Sequence, residues 1–293
     1  MDIINGNGLL DKFEAHLLQA ALAPATVANY MADLRAFLRW SEETHGGDQS
    51  PLDLEARDIE AFCSYLQRTK GNAPTTVNRR IQALRKFYTV AINAGWTECN
   101  PAEPVSLRKE RVSKRSRSLT TKDVNRLLDA VKSGHPRRVA RDWAVIQLLL
   151  NAGLKLGELT ELEMEDLCLY GECEPYLRVH DHEGGGVREI PLDSEVCEAL
   201  DTYLQRRKAA PGVMHVCVNR DGQPLSRRSI QRLLRHYARA AGLDGLTTQA
   251  LRFVYAKRVY DRSGDIKTVA RHLGHRHLAT TIRYLRSSSG SKK

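Results

Sequence analysis

Long apolar runs are missing from this 293-residue chain. No stretch approaches the roughly 18 consecutive apolar residues that a membrane-spanning helix needs, so a bilayer-embedded protein is not expected. The first residues, MDIINGNGLLDKFEAH, lack the basic-then-apolar pairing of a secretory signal, and the expected location is the cytoplasm. Paired cysteines are missing as well. Cys63, Cys99, Cys168, Cys173, Cys197 and Cys217 are scattered with no CxxC among them, which argues for reduced thiols over a disulfide framework. Acidic residues are in deficit: 35 Asp and Glu face 45 Lys and Arg, a net charge of +10. An excess of this size favours a polyanionic partner, with a basic, merely solvated surface as the alternative.

What is present is helical periodicity. The chain is long enough for two domains. In APATVANYMADLRAFLRW, Val27, Tyr30, Leu34, Phe37 and Leu38 share one face, with Thr26 as the expected N-cap. A second helix is expected over PLDLEARDIEAFCSYLQR, with Leu54, Ile59, Phe62 and Leu66 as its apolar set. In TTVNRRIQALRKFYTVAINAG the stripe is Val77, Ile81, Leu84, Tyr88 and Ala91, and Gly95 is the stop. Arg79, Arg80, Arg85 and Lys86 lie elsewhere on that third helix. They suit a DNA groove or phosphate backbone, or they solvate an exposed face.

Residues 1–100 therefore read as all-helical. The composition then shifts: CNPAEPVSLRKERVSKRSRS has two prolines, no apolar period, and Arg108, Lys109, Arg111, Lys114, Arg115 and Arg117 against Glu110. Residues 101–117 read as a basic linker, either a strap over a polyanion or a plain flexible connection.

The second half opens at SLTTKDVNRLLDAV, where Thr120 or Thr121 caps a helix, followed by RDWAVIQLLLNAG, apolar nearly all round and stopped by Gly153. Three runs have strand character: YLRVHD and VREIPL, joined across HEGGG, and VMHVCVN. Helices resume with SRRSIQRLLRHYARAAGL, TQALRFVYAKRVYDRSG, DIKTVARHL and ATTIRYL. The fold class is mainly α with a small antiparallel β-sheet.

HLGHRHLATTIRYLR, residues 272–286, allows three readings: a metal site on His272, His275 and His277, a packed helix end, or a catalytic tyrosine with a helping histidine. No cysteine or carboxylate stands at a usual ligand spacing, and Arg271 and Arg276 crowd the histidines with positive charge, which speaks against zinc even with His180 and His182 added.

In order along the chain, NAGLKLGEL, HEGGGVREIPL, TQALRF and LGHRHLATTIRY are similar to the TGLR-x-x-EL turn, the hairpin lysine ahead of R-x-x-PL, the H-x-L-R helix and the LGH-to-tyrosine spacing of the tyrosine recombinase, or phage integrase, family. TTVNRRIQALRKFY likewise resembles that family's DNA-facing helix. The resemblance spans about 260 residues and implies a two-domain DNA clamp. Its expected parts are a helical core-binding (SAM-like) domain over 1–100, the linker over 101–117 and a catalytic-type domain over 118–293.

By the same resemblance the activity is strand exchange on double-stranded DNA through a 3′-phosphotyrosyl link, without metal or other cofactor. Self-association on DNA as a dimer or tetramer, or assembly with related recombinases, is implied too, as is a place on the nucleoid. The resemblance puts Tyr284 at the nucleophile, Arg252 at the second arginine and His275 at the LGH histidine. Arg115, Arg227 and Arg228 join Arg79, Arg80, Arg85 and Lys86 as expected DNA contacts. Three positions depart from the pattern. Lys155 stands for the first arginine, keeping the charge and losing the guanidinium fork, Glu183 stands at the hairpin lysine, and Gln249 stands for a histidine. No lysine lies between Lys155 and Lys208, so Arg178, Arg188 or a lysine from elsewhere would have to protonate the leaving oxygen. Losing one donor to a developing oxyanion costs roughly 10²- to 10³-fold in rate. Two readings follow: a recombinase, or a protein of the same fold that binds DNA with little catalysis and serves a mobile element as an accessory, regulatory or replication factor.

Overall fold

In the computed structural model, residues 6–20, 22, 24–46, 50–109, 119–181 and 186–286 are described; Arg115 and Glu183 lie outside them. The chain divides into two units, Met1–Ser113 and Lys114–Lys293.

Among the described residues, four helices build the first unit: α1 (Gly6–Gln19), α2 (Pro24–His45), α3 (Ala56–Arg68) and α4 (Pro74–Asn93). Nothing in the sequence reading anticipated α1, although Leu9, Phe13 and Leu17, four residues apart, are all fully buried. Helix α2 begins at Pro24, ahead of the expected cap at Thr26, because a first-turn proline gives up only an N–H that would stay unpaired anyway. Helix α3 starts later than expected. Pro51–Asp53 forms a separate 3₁₀ turn, and Asp58 accepts the Glu55 N–H at 2.8 Å to open the helix proper.

Only five phenylalanines occur in the chain, and four of them meet in this unit, one from each helix. Phe13 packs edge-on against Phe87 at 5.4 Å and Phe37 against Phe62 at 5.2 Å between ring centres. Truncating any of these rings would cost about 3–5 kcal/mol.

The segment after α4 is not free connection. Ala102 and Val105 are buried in the same core, and Asn78 pairs with the main chain of Arg108 in both directions, at 2.9 and 2.6 Å. The expected linker of 101–117 therefore gives its first part to the helical unit. Two isolated apolar residues left no period to read.

The second unit comprises α5 (Thr121–Lys132), α6 (Val139–Asn151), α7 (Leu156–Glu161), α8 (Ser194–Leu204), α9 (Arg227–Ala240), α10 (Thr248–Ser263), α11 (Ile266–Leu273) and α12 (Leu278–Arg286). Thr120 caps α5, accepting from the Asp123 N–H at 3.2 Å. Helix α6 is buried all round, with Val145, Ile146, Leu148, Leu149 and Leu150 fully inaccessible. The antiparallel sheet runs β1 (Leu167–Cys168), β2 (Tyr176–His180), β3 (Val187–Pro191), in that order.

VMHVCVN is not the third strand. Its main chain is satisfied by other groups: Arg207 donates to the carbonyls of Val213, His215 and Val216 at 3.0, 2.6 and 3.1 Å, and the Tyr203 hydroxyl accepts the Val218 N–H at 3.0 Å. The rest of its main chain pairs with other backbone only in isolated bridges, the Val216 N–H donating to the Leu162 carbonyl at 2.8 Å and the Met214 and Cys217 carbonyls accepting the Met164 and Leu225 N–H groups at 2.9 Å, so no continuous ladder forms. Among the described residues, no helix is long and apolar enough to cross a membrane.

Candidate functional site

Glu158, in the first turn of α7, is the centre of a buried cationic cluster. It is 8% exposed. Arg188 of β3 grips it with both guanidinium arms, at 3.0 and 2.8 Å, while the Lys155 N–H donates to it at 2.6 Å and the Lys155 Nζ stands 3.6 Å away. The Arg252 Nη1 is a further 3.6 Å contact. Burial opposes ionisation of Glu158, but the hydrogen bonds and charge of Arg188, the Lys155 amide and Arg252 outweigh it and hold the carboxyl below its usual range. Among the described residues, three cations around one carboxylate leave this cluster net positive.

Arg252 is the deepest member, 3% exposed on α10. Its Nη1 donates to the Gly153 carbonyl at 2.5 Å and its Nη2 to the Leu273 carbonyl, so the turn after α6 and the end of α11 fix the fork from two sides. Burial lowers its pKa from the ordinary arginine value, with Glu158 opposing. Both turns use glycine for a geometric reason. Gly153 has φ +59°, and a Cβ there would lie 2.2 Å from the Tyr255 ring; Gly274 has φ +64°, and a Cβ there would lie 2.9 Å from Arg188. Arg188 also donates through Nε to the His272 carbonyl at 2.9 Å. The glycine of LGH thus lets β3 close on the end of α11.

Beyond that glycine, His275 bonds Thr281 of α12 through Nδ1 at 2.9 Å. Burial first, then Arg252, Lys155 and Arg188, drive its pKa down to about 4, so the ring is neutral at pH 7. The Tyr284 ring stands edge-on to His275, 5.7 Å between centres, and rests on Phe253 at 5.3 Å. Its hydroxyl donates to the main-chain carbonyl of Gln249 at 3.3 Å. Burial pushes the phenol up to about 12, against the pull of Arg252 and the Gln249 bond. Tyr284 and His275 thus lie in one cluster with Arg252 and Lys155, contributed by α12, the turn before it, α10 and the start of α7.

The sequence matches the model of the phage integrase family over residues 117–290, more than half the chain, and that of the phage integrase N-terminal SAM-like domain over residues 9–98. The chain belongs to the phage integrase family. Integrase-family relatives include the tyrosine recombinase XerC of Alcanivorax borkumensis, 30% identical over 281 residues, covering 94% of this chain and 88% of that one. The tyrosine recombinase XerD of Listeria innocua is 29% identical over 287 residues, covering 95% and 93%. Among solved structures, a lambda integrase dimer bound to a COC′ core site shares the fold at a TM-score of 0.77 and 21% identity, covering 98% of this chain and 97% of that one. A Tn1549 transposon integrase with a circular intermediate DNA does so at 0.75 and 19%, covering 96% and 94%.

Not every expected site residue of this integrase-family chain is placed as its motif suggests. Arg252, His275, Tyr284 and Lys155 come together, but Gln249 offers its carbonyl to Tyr284 while its residue as a whole is exposed. Arg188 is held by the Glu158 carboxylate and the His272 carbonyl. Arg178 sits on the other face of the sheet, since Arg188 pairs with Val179 in register and Arg178 with Glu189. Asp181 and Gly186 close the hairpin at 2.7 Å, but Glu183 within it lies outside the described residues, as does Arg115.

In the first unit, Arg79 and Arg80 both pair with Asp33, whose burial raises its carboxyl pKa more than the two arginines lower it. Arg85 turns to the main chain, donating to Ala102, Glu103 and Val105 carbonyls at 3.1, 3.0 and 2.9 Å; it ties down the segment after α4, a role the basic-face reading did not include. Lys86 is half-buried, and Arg227 and Arg228 are exposed at the start of α9.

Two histidines of the metal reading are taken up by other partners. His272 Nδ1 meets the Tyr255 hydroxyl at 2.9 Å and His180 pairs with Asp166 at 2.9 Å. The hub Glu158 went unassigned in the sequence, although it is the glutamate of GLKLGEL and so stood inside a quoted motif. Thr281 carried no signal, because a threonine in an amphipathic helix reads as filler.

Proposed function

We propose that this chain is a site-specific DNA recombinase. The observation that carries the reading is the convergence of Tyr284, His275, Arg252 and Lys155 in one net-positive cluster of the second unit. The substrate is a backbone phosphate of duplex DNA. Tyr284 Oη attacks the phosphorus and gives up its phenol proton to solvent, the P–O5′ bond breaks, a 3′-phosphotyrosyl link forms, and the 5′-oxygen takes up a solvent proton as it leaves; attack by a partner strand's 5′-hydroxyl reverses the step and releases Tyr284.

Arg252 and Lys155 offer cationic donors to the phosphate oxygens as negative charge gathers on them, and Arg252 is held rigidly enough to do so without reorganising. His275 acts as a neutral imidazole beside the phenol, able to accept a hydrogen bond from it. Because the phenol is pushed up to about 12, Tyr284 enters as the protonated form and must lose its proton during attack. The likeness to XerC, XerD and DNA-bound integrases supports the same substrate and self-association on DNA.

The test uses duplexes selected from a random pool for binding to the full chain, then nicked so that a cleaved fragment diffuses away. The expected result is a covalent protein–DNA adduct that disappears in Tyr284→Phe. A duplex bound tightly with no adduct would leave the chain as a DNA-binding member of the fold without strand cleavage, the outcome that Lys155 and Gln249 make worth watching for.

A further inference from the structure

The first-arginine position holds Lys155, which brings charge without a fork. Two residues on stands Gly157, within the first turn of α7. A Cβ built on Gly157 would lie 2.8 Å from Arg227 Nη2, 3.3 Å from its Cζ and 3.6 Å from its Nε. The Arg227 guanidinium therefore lies directly on the glycine, in space that any other side chain at 157 would take. Arg227 opens α9, behind the Ser226 cap that accepts the Ser229 N–H at 3.1 Å, so its backbone is fixed while the side chain crosses to α7.

Charge distribution sharpens the point. The carboxylate beside Gly157 is Glu158, already gripped by Arg188 and approached by Lys155 and Arg252. Among the described residues no carboxylate pairs with Arg227, so its full charge is available to an anion.

Resting on the recombinase reading, we propose that Arg227 supplies the guanidinium fork missing at position 155. Lys155 and Arg227 form one two-residue clamp on the scissile phosphate, opposite Arg252. The glycine at 157 is the complement that lets Arg227 reach. Here Arg227 contacts the reacting phosphate, not only the flanking DNA backbone.

A phosphate-neutralisation scan tests this wherever on the duplex the cleavage position falls. The full chain carrying Tyr284→Phe is bound to a selected duplex in which one phosphate at a time is made a neutral methylphosphonate. A charge-assisted contact of this kind is worth about tenfold or more in affinity. Neutralising one phosphate on a strand should weaken binding about tenfold, and that sensitivity should fall below about threefold when Arg227→Ala is added. Lys155→Ala should lose sensitivity at the same phosphate, and Lys155→Arg should restore it in the Arg227→Ala background. Arg227→Lys, which keeps the charge, should fall between.

If Arg227 and Lys155 sense different phosphates, or if Arg227→Ala weakens binding equally whichever phosphate is neutral, the clamp is wrong while the recombinase reading stands. If the full chain binds no duplex at all, that reading falls and the clamp with it.

Discussion

Replacing Arg188 by leucine removes the group that holds three elements together: it grips Glu158 of α7 at 3.0 and 2.8 Å and ties β3 to the His272 carbonyl at the end of α11. Both side chains of the pair are almost inaccessible, 9% and 6% exposed, so solvent screening does little to discount the interaction. Breaking a buried pair by deleting one partner costs about 3–5 kcal/mol, because the survivor is left as an undercompensated buried charge. Glu158 would still have the Lys155 N–H at 2.6 Å and Arg252 at 3.6 Å, which places Arg188→Leu near the lower end, about 3 kcal/mol.

With a urea m-value of about 2–3 kcal/mol/M, the midpoint of the second unit should fall by about 1–1.5 M. Hydrogen exchange of α6 peptides along a urea series reads that unit alone, and peptides from α4 serve as the internal control. Adding Glu158→Leu should recover part of the loss, since removing both charges of a buried pair is milder than removing one. A shift of less than about 0.3 M in the single variant would refute the view that this pair organises the site.

Three further outcomes follow from the geometry. Gly153→Ala should cost about 2–4 kcal/mol, combining left-handed strain with the collision against Tyr255; because the Gly153 carbonyl also receives Arg252, adduct formation should drop more than the stability loss alone explains. His275, held neutral down to about pH 4 in the folded chain but protonating near pH 6.5 when unfolded, has a depressed folded pKa, so the unfolded state binds more protons between those values. Stability should therefore decline as pH falls from about 6.5 towards 4, with the His275 ring resonance titrating at the low end by NMR; a titration near 6.5 would contradict its placement. Arg85→Ala should loosen residues 101–109 to hydrogen exchange while leaving the salt dependence of DNA binding unchanged, whereas a lysine that does touch a phosphate, as proposed for Lys86, should reduce the logarithmic salt slope by about 1 on replacement by alanine.

Much of the architecture was legible from periodicity. The stripe Val77, Ile81, Leu84, Tyr88 and Ala91 is buried as its spacing predicts, and the helices carrying Arg252 and Tyr284 were visible as elements. Misreadings came where packing partners are not periodic. VMHVCVN has strand composition, yet it meets other backbone only in isolated bridges, and Arg207 and Tyr203 take up several of its remaining main-chain groups. The basic face of α4 was read from charge alone, and charge does not say that Arg79 and Arg80 meet Asp33 or that Arg85 caps three carbonyls.

For the site, the sequence determined the chemical inventory and its order along the chain: a histidine nine residues ahead of a tyrosine, an arginine two helices before that tyrosine, and a lysine after a glycine turn. Short-range spacing on helices and turns is enough to carry that information. Only the tertiary structure decided which of the charges are occupied. Glu158, a motif glutamate with no visible task, draws in Arg188, Lys155 and Arg252 from segments up to about a hundred residues apart, and a bare glycine at 157 admits Arg227 from α9. Those pairings depend on which surfaces become buried together, a non-local outcome of core packing that residue spacing does not encode.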